Sequence, residues 1–518
     1  MIASSHLGFY PACTGLQTWI VPYRPLHPFL HCLAYQAYGL DTSKYYAISA
    51  LLYGGVAFMW YRVSKRLFNL PDWAGVLAGL IWLAFPDDMS RQSLIGGFRL
   101  AGPLLTLIGM EIILSAKFYP PYNSSRLTIL GSAVTFVGFL IYESLIGLWV
   151  GLLFIYCVIN IRNFTRYSSF VSDGSASYFR AERLISIRAL LAVFFTAAMF
   201  VLWRTAIVPL TYTPETFVEG QHSFFNDWNH KLLQLRTTPL LPTTNTIRSM
   251  YLAADALPAL SPDELTEMRI AAILCGLLAL MAFFYPGGET SRPRKPIFLI
   301  GLLALPLGAL PYYLTELDFT SEVFRSLNIP FGVSLITLGL LFLLPRKIWK
   351  VIGAASAVSI VIYTSSAEAL QARGYSAESE RLCSVLEQLA SALPSFDGGM
   401  ILVEGWQNTD AYQLSSIASA IWGTPGKTRW SLGVSGSHGY HLSGVEKVEI
   451  KEGMVYWEGL PPLALYKKSG FVYNPLPPET PVVVFRMEDE QVRLVHANFA
   501  YSPDGVARER VREMCDDN

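Results

Sequence analysis

Acidic side chains lie at the ends of long apolar stretches in this chain, where their types and spacing are suitable for catalysis or metal binding. Asp87 and Asp88 follow Pro86 at the end of one stretch, and Glu143 lies in a short turn between two others. Adjacent carboxylates supply the oxygen ligands that a divalent cation such as Mg²⁺ or Mn²⁺ prefers. An ionisable group held at a membrane surface is a functional candidate. We therefore interpret Asp87, Asp88 and Glu143 as candidate catalytic residues, with Asp87 and Asp88 also as candidate metal ligands.

Basic and polar residues near the same ends are candidates for binding an anionic substrate. The planar guanidinium of arginine matches the geometry of phosphate. For each residue taken singly, a solvated charge at a helix end is the alternative interpretation. Glu111 lies deeper within an apolar stretch, and we predict that it is a structural partner for another polar group. The candidate substrate-binding residues are Tyr23, Arg24, His27, Arg99, Arg204 and Arg325.

Apolar stretches long enough to cross a bilayer must position these residues. About 20 apolar residues in a helix cover a hydrocarbon core of about 30 Å, and backbone hydrogen bonding in lipid favours helices. The chain is 52% hydrophobic and 15% charged, against about 25% charged in ordinary soluble domains. Its net charge of zero provides no basic field for nucleic acid. The sequence predicts a mainly α polytopic membrane protein with about ten transmembrane helices, over 44–61, 72–86, 98–117, 127–143, 144–160, 189–208, 269–286, 297–314, 327–345 and 350–364.

Lysine and arginine concentrate in every second gap between these stretches. Arg62, Lys65 and Arg66 form one such group, and Arg346, Lys347 and Lys350 form another. Basic gaps are cytoplasmic by the positive-inside rule. The predicted domains are therefore an outer N-terminal region (1–43), a transmembrane domain (44–364) with an outer loop at 209–268, and an extracytoplasmic domain (365–518).

The predicted N-terminal region faces outward although no apolar stretch precedes it and it has no signal-peptide pattern. The simplest interpretation is a missing first transmembrane helix. The alternative is a protein whose N-terminus is naturally outside.

The C-terminal region changes in composition after Thr364. Residues 366–393 show the periodicity of an amphipathic helix, and later runs such as Met400–Val403, Val445–Ile450 and Val482–Arg486 show strand patterns. These features predict a small α+β domain that covers the outer face or binds an acceptor. A Cys383–Cys515 bridge would suit an oxidising compartment.

Four motifs, in this order, resemble the GT-C superfamily of membrane glycosyltransferases. The resemblance is greatest to bacterial relatives of the protein O-mannosyltransferases with tetratricopeptide tails. It covers about residues 20–345, and the order of the motifs carries it because each motif alone is weak. The first motif is YRPLHPFL, together with the helix that follows it and the later FPDD. The second is SLIGGFRLAGPLLTLI, which contains Arg99. The third is FLIYESLIGLW, which contains Glu143, and the fourth is SEVFRSLNIPFGVSLI, which contains Arg325.

The resemblance implies a multi-pass enzyme of the bacterial inner membrane, within the cell envelope. Such an enzyme transfers a sugar from a polyprenyl-phosphate donor to a glycan, lipid or protein acceptor at the outer face. The chain departs from this family in two respects. Residues 1–40 contain no Asp or Glu, whereas the family carries its catalytic Asp in the first outer loop, and the tail lacks tetratricopeptide periodicity. The alternatives are a non-catalytic protein of the same fold that binds lipid-linked glycans and, with less support, a transporter or flippase.

Overall fold

The computed structural model of the chain is mainly helical with a small sheet. It divides into two compact units. The helical unit comprises Val21–His31 and Asp41–Ala372, and the C-terminal unit comprises Met1–Ile20, Cys32–Leu40 and Arg373–Asn518. The structure describes residues 26–38, 42–83, 98–116, 121–142, 145–155, 190–203, 206, 266, 269–270, 273–274, 277, 297–313, 329–344, 348–406, 418, 421–422, 440–445, 447–451, 454–458, 481–488, 490–500 and 502–516.

The described helices coincide with most of the predicted apolar stretches, and the predicted stretch at 269–286 lies largely outside the described residues. One predicted boundary is wrong, because the stretch at 350–364 and the amphipathic helix at 366–393 form one continuous helix. The helices are α1 (Leu26–Tyr38), α2 (Thr42–Phe68), α3 (Asp72–Leu83), α4 (Ala101–Ser115), α5 (Pro121–Ile141), α6 (Ile146–Ile155), α7 (Leu190–Leu202), α8 (Ile297–Tyr313), α9 (Ile329–Leu341), α10 (Trp349–Ala392) and α11 (Ala507–Asp516).

A tight turn reverses the chain between α2 and α3. Asn69 adopts a positive φ of 54°, a conformation that asparagine tolerates better than most residues, and the Leu70 amide donates to the Lys65 carbonyl. Pro71 then accepts from the amides of Ala74 and Gly75 to begin α3. The two helices are therefore antiparallel neighbours.

Small residues allow α4 and α5 to pack closely. Each helix repeats a Gly-x₃-Thr-x₂-Gly pattern, with Gly102, Thr106 and Gly109 on α4 facing Gly138, Thr135 and Gly131 on α5 in antiparallel order. A Cβ added to Gly138 would lie 2.7 Å from Oγ1 of Thr106. The threonine hydroxyls donate to the carbonyls of Gly102 and Gly131 on their own helices. Small interfacial residues of this kind are typical of helix pairs in membranes.

Large apolar side chains point outward on several of these helices. The exposed face of α2 carries Leu51 (75% exposed) and Phe58 (57% exposed), and residues 45–61 contain no charged side chain. Similar exposed apolar residues lie on α5, α7, α8 and α9. Among the described residues, one helix (Asn123–Ile141) is both long and apolar enough to cross a membrane, and six further apolar helices are shorter.

An aromatic cluster joins α2, α3 and α9 inside the helical unit. The Phe331 ring lies 4.8 Å from the Trp60 ring and 5.6 Å from the Trp82 ring, centroid to centroid. The Trp60 indole N–H donates to Ser334 Oγ at 2.9 Å. Near the opposite end of α3, Trp73 contacts Phe342. The register of these contacts shows that α9 runs antiparallel to α3.

The C-terminal unit contains a four-stranded mixed sheet and a separate hairpin. In the sheet, whose order is β2-β1-β5-β6, β1 is parallel to β2 and β5, and β6 is antiparallel to β5. The hairpin comprises β3 and β4. Strand β2 is largely absent from the sequence prediction, and the run at 445–450 is divided between two strands. The strands are β1 (Gly399–Glu404), β2 (Tyr440–Val445), β3 (Lys447–Lys451), β4 (Met454–Glu458), β5 (Val482–Glu488) and β6 (Gln491–Ala497).

Alternating residues bury both faces of β1 and β5. Ile401, Val403, Val483 and Phe485 join a core with the C-terminal part of α10 and with α11. Met400, Leu402, Val482 and Val484 form a second buried layer on the other face. Continuous apolar runs such as Met400–Val403 are expected for strands that are covered on both sides.

Candidate functional site

Arg99 and Tyr142 meet at one end of the helical unit, which we call the Arg99 end. Arg99 lies just before α4 and Tyr142 just after α5, so the close α4–α5 pairing brings them together. The guanidinium carbon of Arg99 lies 6.0 Å from the centre of the Tyr142 ring, within the range of a cation–π contact. Tyr142 is buried and also packs against Gly102.

Other described helices lead to the Arg99 end. The Phe98 ring lies 6.0 Å from the Tyr45 ring near the start of α2. Because α3 is antiparallel to α2 and α9 is antiparallel to α3, α3 runs towards the Arg99 end and α9 starts from it. Leu83, at the end of α3, is four residues before Asp87, and Ile329 is four residues after Arg325.

Most of the predicted site residues lie outside the described residues. This applies to the three candidate catalytic acids and to four of the candidate binding residues: Asp87, Asp88, Glu143, Tyr23, Arg24, Arg204 and Arg325. Among the two described candidates, Arg99 lies at the Arg99 end, and His27 is buried in the first turn of α1. That the candidate catalytic and binding residues form one site therefore remains a prediction.

A buried ion-pair cluster marks the opposite end of the unit, which we call the basic end. Oε1 of Glu111 accepts from Nη2 of Arg62 at 2.9 Å and from Nε of Arg66 at 2.8 Å. The Glu111 side chain is 11% exposed, and that of Arg62 is 42% exposed. These pairs confirm the prediction that Glu111 is a structural partner for other polar groups, because they join α4 to the last turns of α2.

A second ion pair at the basic end fastens the α2–α3 turn. Lys65 pairs with Asp72, and the Tyr61 hydroxyl donates to the same Asp72 oxygen at 2.8 Å. Asp72 begins α3, where a carboxylate also interacts favourably with the helix dipole. The basic residues that the sequence analysis assigned to a cytoplasmic gap are thus partly neutralised by two acids.

A charged pair lies at the carboxyl ends of two parallel strands in the C-terminal unit. Arg486 Nε donates to Glu404 Oε2 at 2.7 Å, and Glu404 Oε1 accepts from the Val448 amide at 3.3 Å. The hydrogen bond to Glu404 and its negative charge raise the pKa of Arg486. Glu404 thereby links β1 to both β5 and β3, which indicates a structural role for this pair.

The described residues contain no group of three or more His, Cys, Asp or Glu side chains arranged to hold a metal ion. The predicted ligands Asp87 and Asp88 are not among the described residues, so the divalent cation remains a proposal from the sequence. Tyr142 was not among the predicted site residues. Its place four residues after Gly138, on the small-residue face of α5, is the sequence signal that could have identified it.

Comparison with known proteins gives no family for this chain: no family model, no curated protein and no solved structure matches it.

Proposed function

We propose that the chain is an integral membrane glycosyltransferase of GT-C type, which transfers a sugar from a polyprenyl-phosphate donor to a glycan, lipid or protein acceptor. The observation that carries the proposal is the contact between Arg99 and Tyr142 at the Arg99 end of the helical unit. The opposite end of this unit is the basic end, where Glu111 pairs with Arg62 and Arg66. The end of α3, the end of α5 and the start of α9 also lie at the Arg99 end. These helix ends are close in sequence to Asp87, Glu143 and Arg325, respectively. The ordered sequence motifs supply the chemistry.

A membrane location is supported by the distribution of side chains in the helical unit. The exposed face of α2 is apolar between Lys44 and Arg62, a distance of about 27 Å along a helix. This length is close to the hydrocarbon thickness of about 30 Å. Glycine and threonine fill the α4–α5 interface, whereas leucine and phenylalanine point outward. The proposal comprises a polytopic bundle of about ten spans in the bacterial inner membrane.

The proposed reaction is an inverting displacement at the outer face. A carboxylate among Asp87, Asp88 and Glu143 removes the proton from the acceptor hydroxyl. The acceptor oxygen forms a bond to the anomeric carbon of the sugar as the bond from that carbon to the lipid phosphate breaks. Arg99, with the other three candidate arginines, holds the phosphate as its charge develops. Tyr23 and His27 are assigned to the donor site. A divalent cation on Asp87 and Asp88, when bound, would neutralise phosphate charge.

The test measures donor binding and transfer separately. The purified chain in liposomes is supplied with a panel of radiolabelled polyprenyl-phosphate hexoses and with membrane extract as the acceptor source. We expect labelled product, and we expect Arg99→Gln to lower the transfer rate by at least about 10-fold, because it removes a charged phosphate ligand. Arg126→Gln, which changes an exposed arginine in the first turns of α5, is the matched control and should leave transfer unchanged.

The alternatives give different results in the same liposomes. Saturable binding of the polyprenyl-phosphate sugar without any transfer would replace the enzyme with the non-catalytic glycan-binding protein. Movement of the labelled lipid between leaflets without transfer would favour a flippase. Neither binding nor transfer for any donor in the panel would overturn the proposed function.

A further inference from the structure

A disulfide bond closes the C-terminal unit between two distant helices. Cys383 lies in α10 and Cys515 in the last turn of α11, with a sequence separation of 132 and their Cα atoms 6.0 Å apart. The bridge therefore links the C-terminal part of α10 to α11.

Helix α11 has few apolar contacts with which to hold itself in place. It has ten residues, six of them charged, and its fully buried side chains are Ala507 and Val511. Helices shorter than about 12 residues are marginal in water without tertiary support. The guanidinium of Arg510 donates to the Ile421 carbonyl at 2.9 Å, and Met514 packs on the core. The disulfide adds a covalent attachment in the same turn as Met514.

We propose that the C-terminal unit matures by oxidation in an extracytoplasmic compartment, and that the Cys383–Cys515 bridge clamps α11 to the rest of the unit. In this step the two thiols lose two protons and two electrons as the S–S bond forms. A thiol–disulfide oxidoreductase is the oxidant, and its own disulfide becomes a dithiol. Structural disulfides persist in oxidising compartments and are rare in the cytosol.

The positive-inside rule gives the predicted side of the membrane for the C-terminal unit. Trp349, at the start of α10, contacts Trp73 in the first turn of α3, beside the basic end. Residues 351–364 carry no charged side chain, and Cys383 follows them in the sequence. If the predicted stretch at 350–364 crosses the bilayer, the sequence after it, including Cys383, is extracytoplasmic by this rule, because Arg346, Lys347 and Lys350 lie at its start. The disulfide and the positive-inside rule then agree on orientation, and this inference does not depend on sugar transfer.

The first experiment detects the bridge directly. Membranes containing the full chain are quenched in acid, alkylated and digested with trypsin without reductant. We expect a linked pair of peptides, residues 382–427 and 513–518, whose mass separates on reduction. Alkylation of both Cys383 and Cys515 before any reduction would overturn the proposal.

The second experiment assigns the compartment with a membrane-impermeant phosphine. The phosphine is used at a concentration that fully reduces the bridge in detergent-opened cells. We expect the same reduction in intact cells or spheroplasts. A bridge that stays intact until detergent is added would overturn the extracytoplasmic assignment.

The third experiment tests the clamp with Cys515→Ser in the full chain. We expect trypsin to remove a C-terminal epitope tag at least about 10-fold faster than in the parent, because α11 opens more often without its covalent attachment. Cys275→Ser, in a predicted transmembrane stretch, is the matched control and should cleave at the parental rate. Equal rates for Cys515→Ser and the parent would show that the bridge does not hold α11.

Discussion

The guanidinium of Arg99 lies 6.0 Å from the centre of the Tyr142 ring, and the two residues adjoin different helices. Tyr142 follows α5, whereas Arg99 precedes α4, and the Gly-x₃-Thr-x₂-Gly faces of the two helices hold them at this distance. The contact depends on the close packing of the α4 and α5 backbones, which begins beside it at Gly102 and Gly138 and continues to Gly109 and Gly131. It gives the proposed phosphate ligand a fixed aromatic neighbour.

Tyr142→Leu should lower transfer by 2- to 30-fold, since a cation–π contact is worth roughly 0.5–2 kcal/mol. We expect a smaller change for Tyr142→Phe, which keeps the ring. The measurement is donor-dependent transfer kinetics in liposomes. Phe139→Leu is the matched control, because it removes a buried ring from α5 that contacts Trp149 and Phe200 instead of Arg99. Equal losses in the Tyr142→Leu and Phe139→Leu chains would assign the effect to packing alone.

Gly109→Ala should destabilise the helical unit by about 1–3 kcal/mol. The added Cβ would overlap Oγ1 of Thr135 and the Gly131 carbonyl oxygen, and backbone atoms cannot move away cheaply. Gly54→Ala is the matched control, because no atom lies within 4 Å of the new methyl group. Alanine favours a helix over glycine by up to about 1 kcal/mol, so this control should be stabilising. Thermal unfolding of the full chain in detergent measures both, and the same sign of change in both variants would contradict the packing account.

Glu111→Gln should cost roughly 1–3 kcal/mol of stability, because it removes the charge that Arg62 and Arg66 share at a mostly buried position. The partial exposure of Arg62 keeps the cost below that of a fully buried pair. Detergent unfolding of the full chain gives the measurement. Glu449→Gln, in an exposed pair with Lys447, should change stability by less than about 0.5 kcal/mol. If Glu111→Gln lowers the stability no more than Glu449→Gln does, the Glu111 ion pairs contribute no more than an exposed surface pair.

Ser334→Ala should destabilise the chain by about 0.5–2 kcal/mol, because it leaves the buried Trp60 indole N–H without its acceptor. Ser49→Ala is expected to be neutral or stabilising. The Ser49 hydroxyl is buried and makes no hydrogen bond to any residue that the structure describes, so its removal abolishes a desolvation cost. Unfolding midpoints of the two variants distinguish the cases, and a neutral Ser334→Ala would show that the Trp60 bond contributes little.

Within the described part of the helical unit, the residues themselves were enough to predict the helices closely. The stretch predicted at 297–314 is α8 (Ile297–Tyr313), and that at 98–117 contains α4 (Ala101–Ser115). This succeeds because helical hydrogen bonds close within a segment, so local composition determines where a helix forms. The prediction of two separate helices that meet at residues 364–366 was wrong, because it relied on the rise in polarity there. Backbone hydrogen bonding continues through this change, and α10 does not break.

Tertiary structure alone decided which residues became partners. Glu111 could be predicted to need a polar partner, but Arg62 and Arg66 were selected by the packing of α4 beside α2. Strand β2 (Tyr440–Val445) escaped prediction because it is held by pairing with β1, a neighbour distant in sequence. The Arg99–Tyr142 contact has the same origin. Sequence periodicity reports one segment at a time, whereas these contacts arise from the free energy of packing segments that lie far apart in the chain.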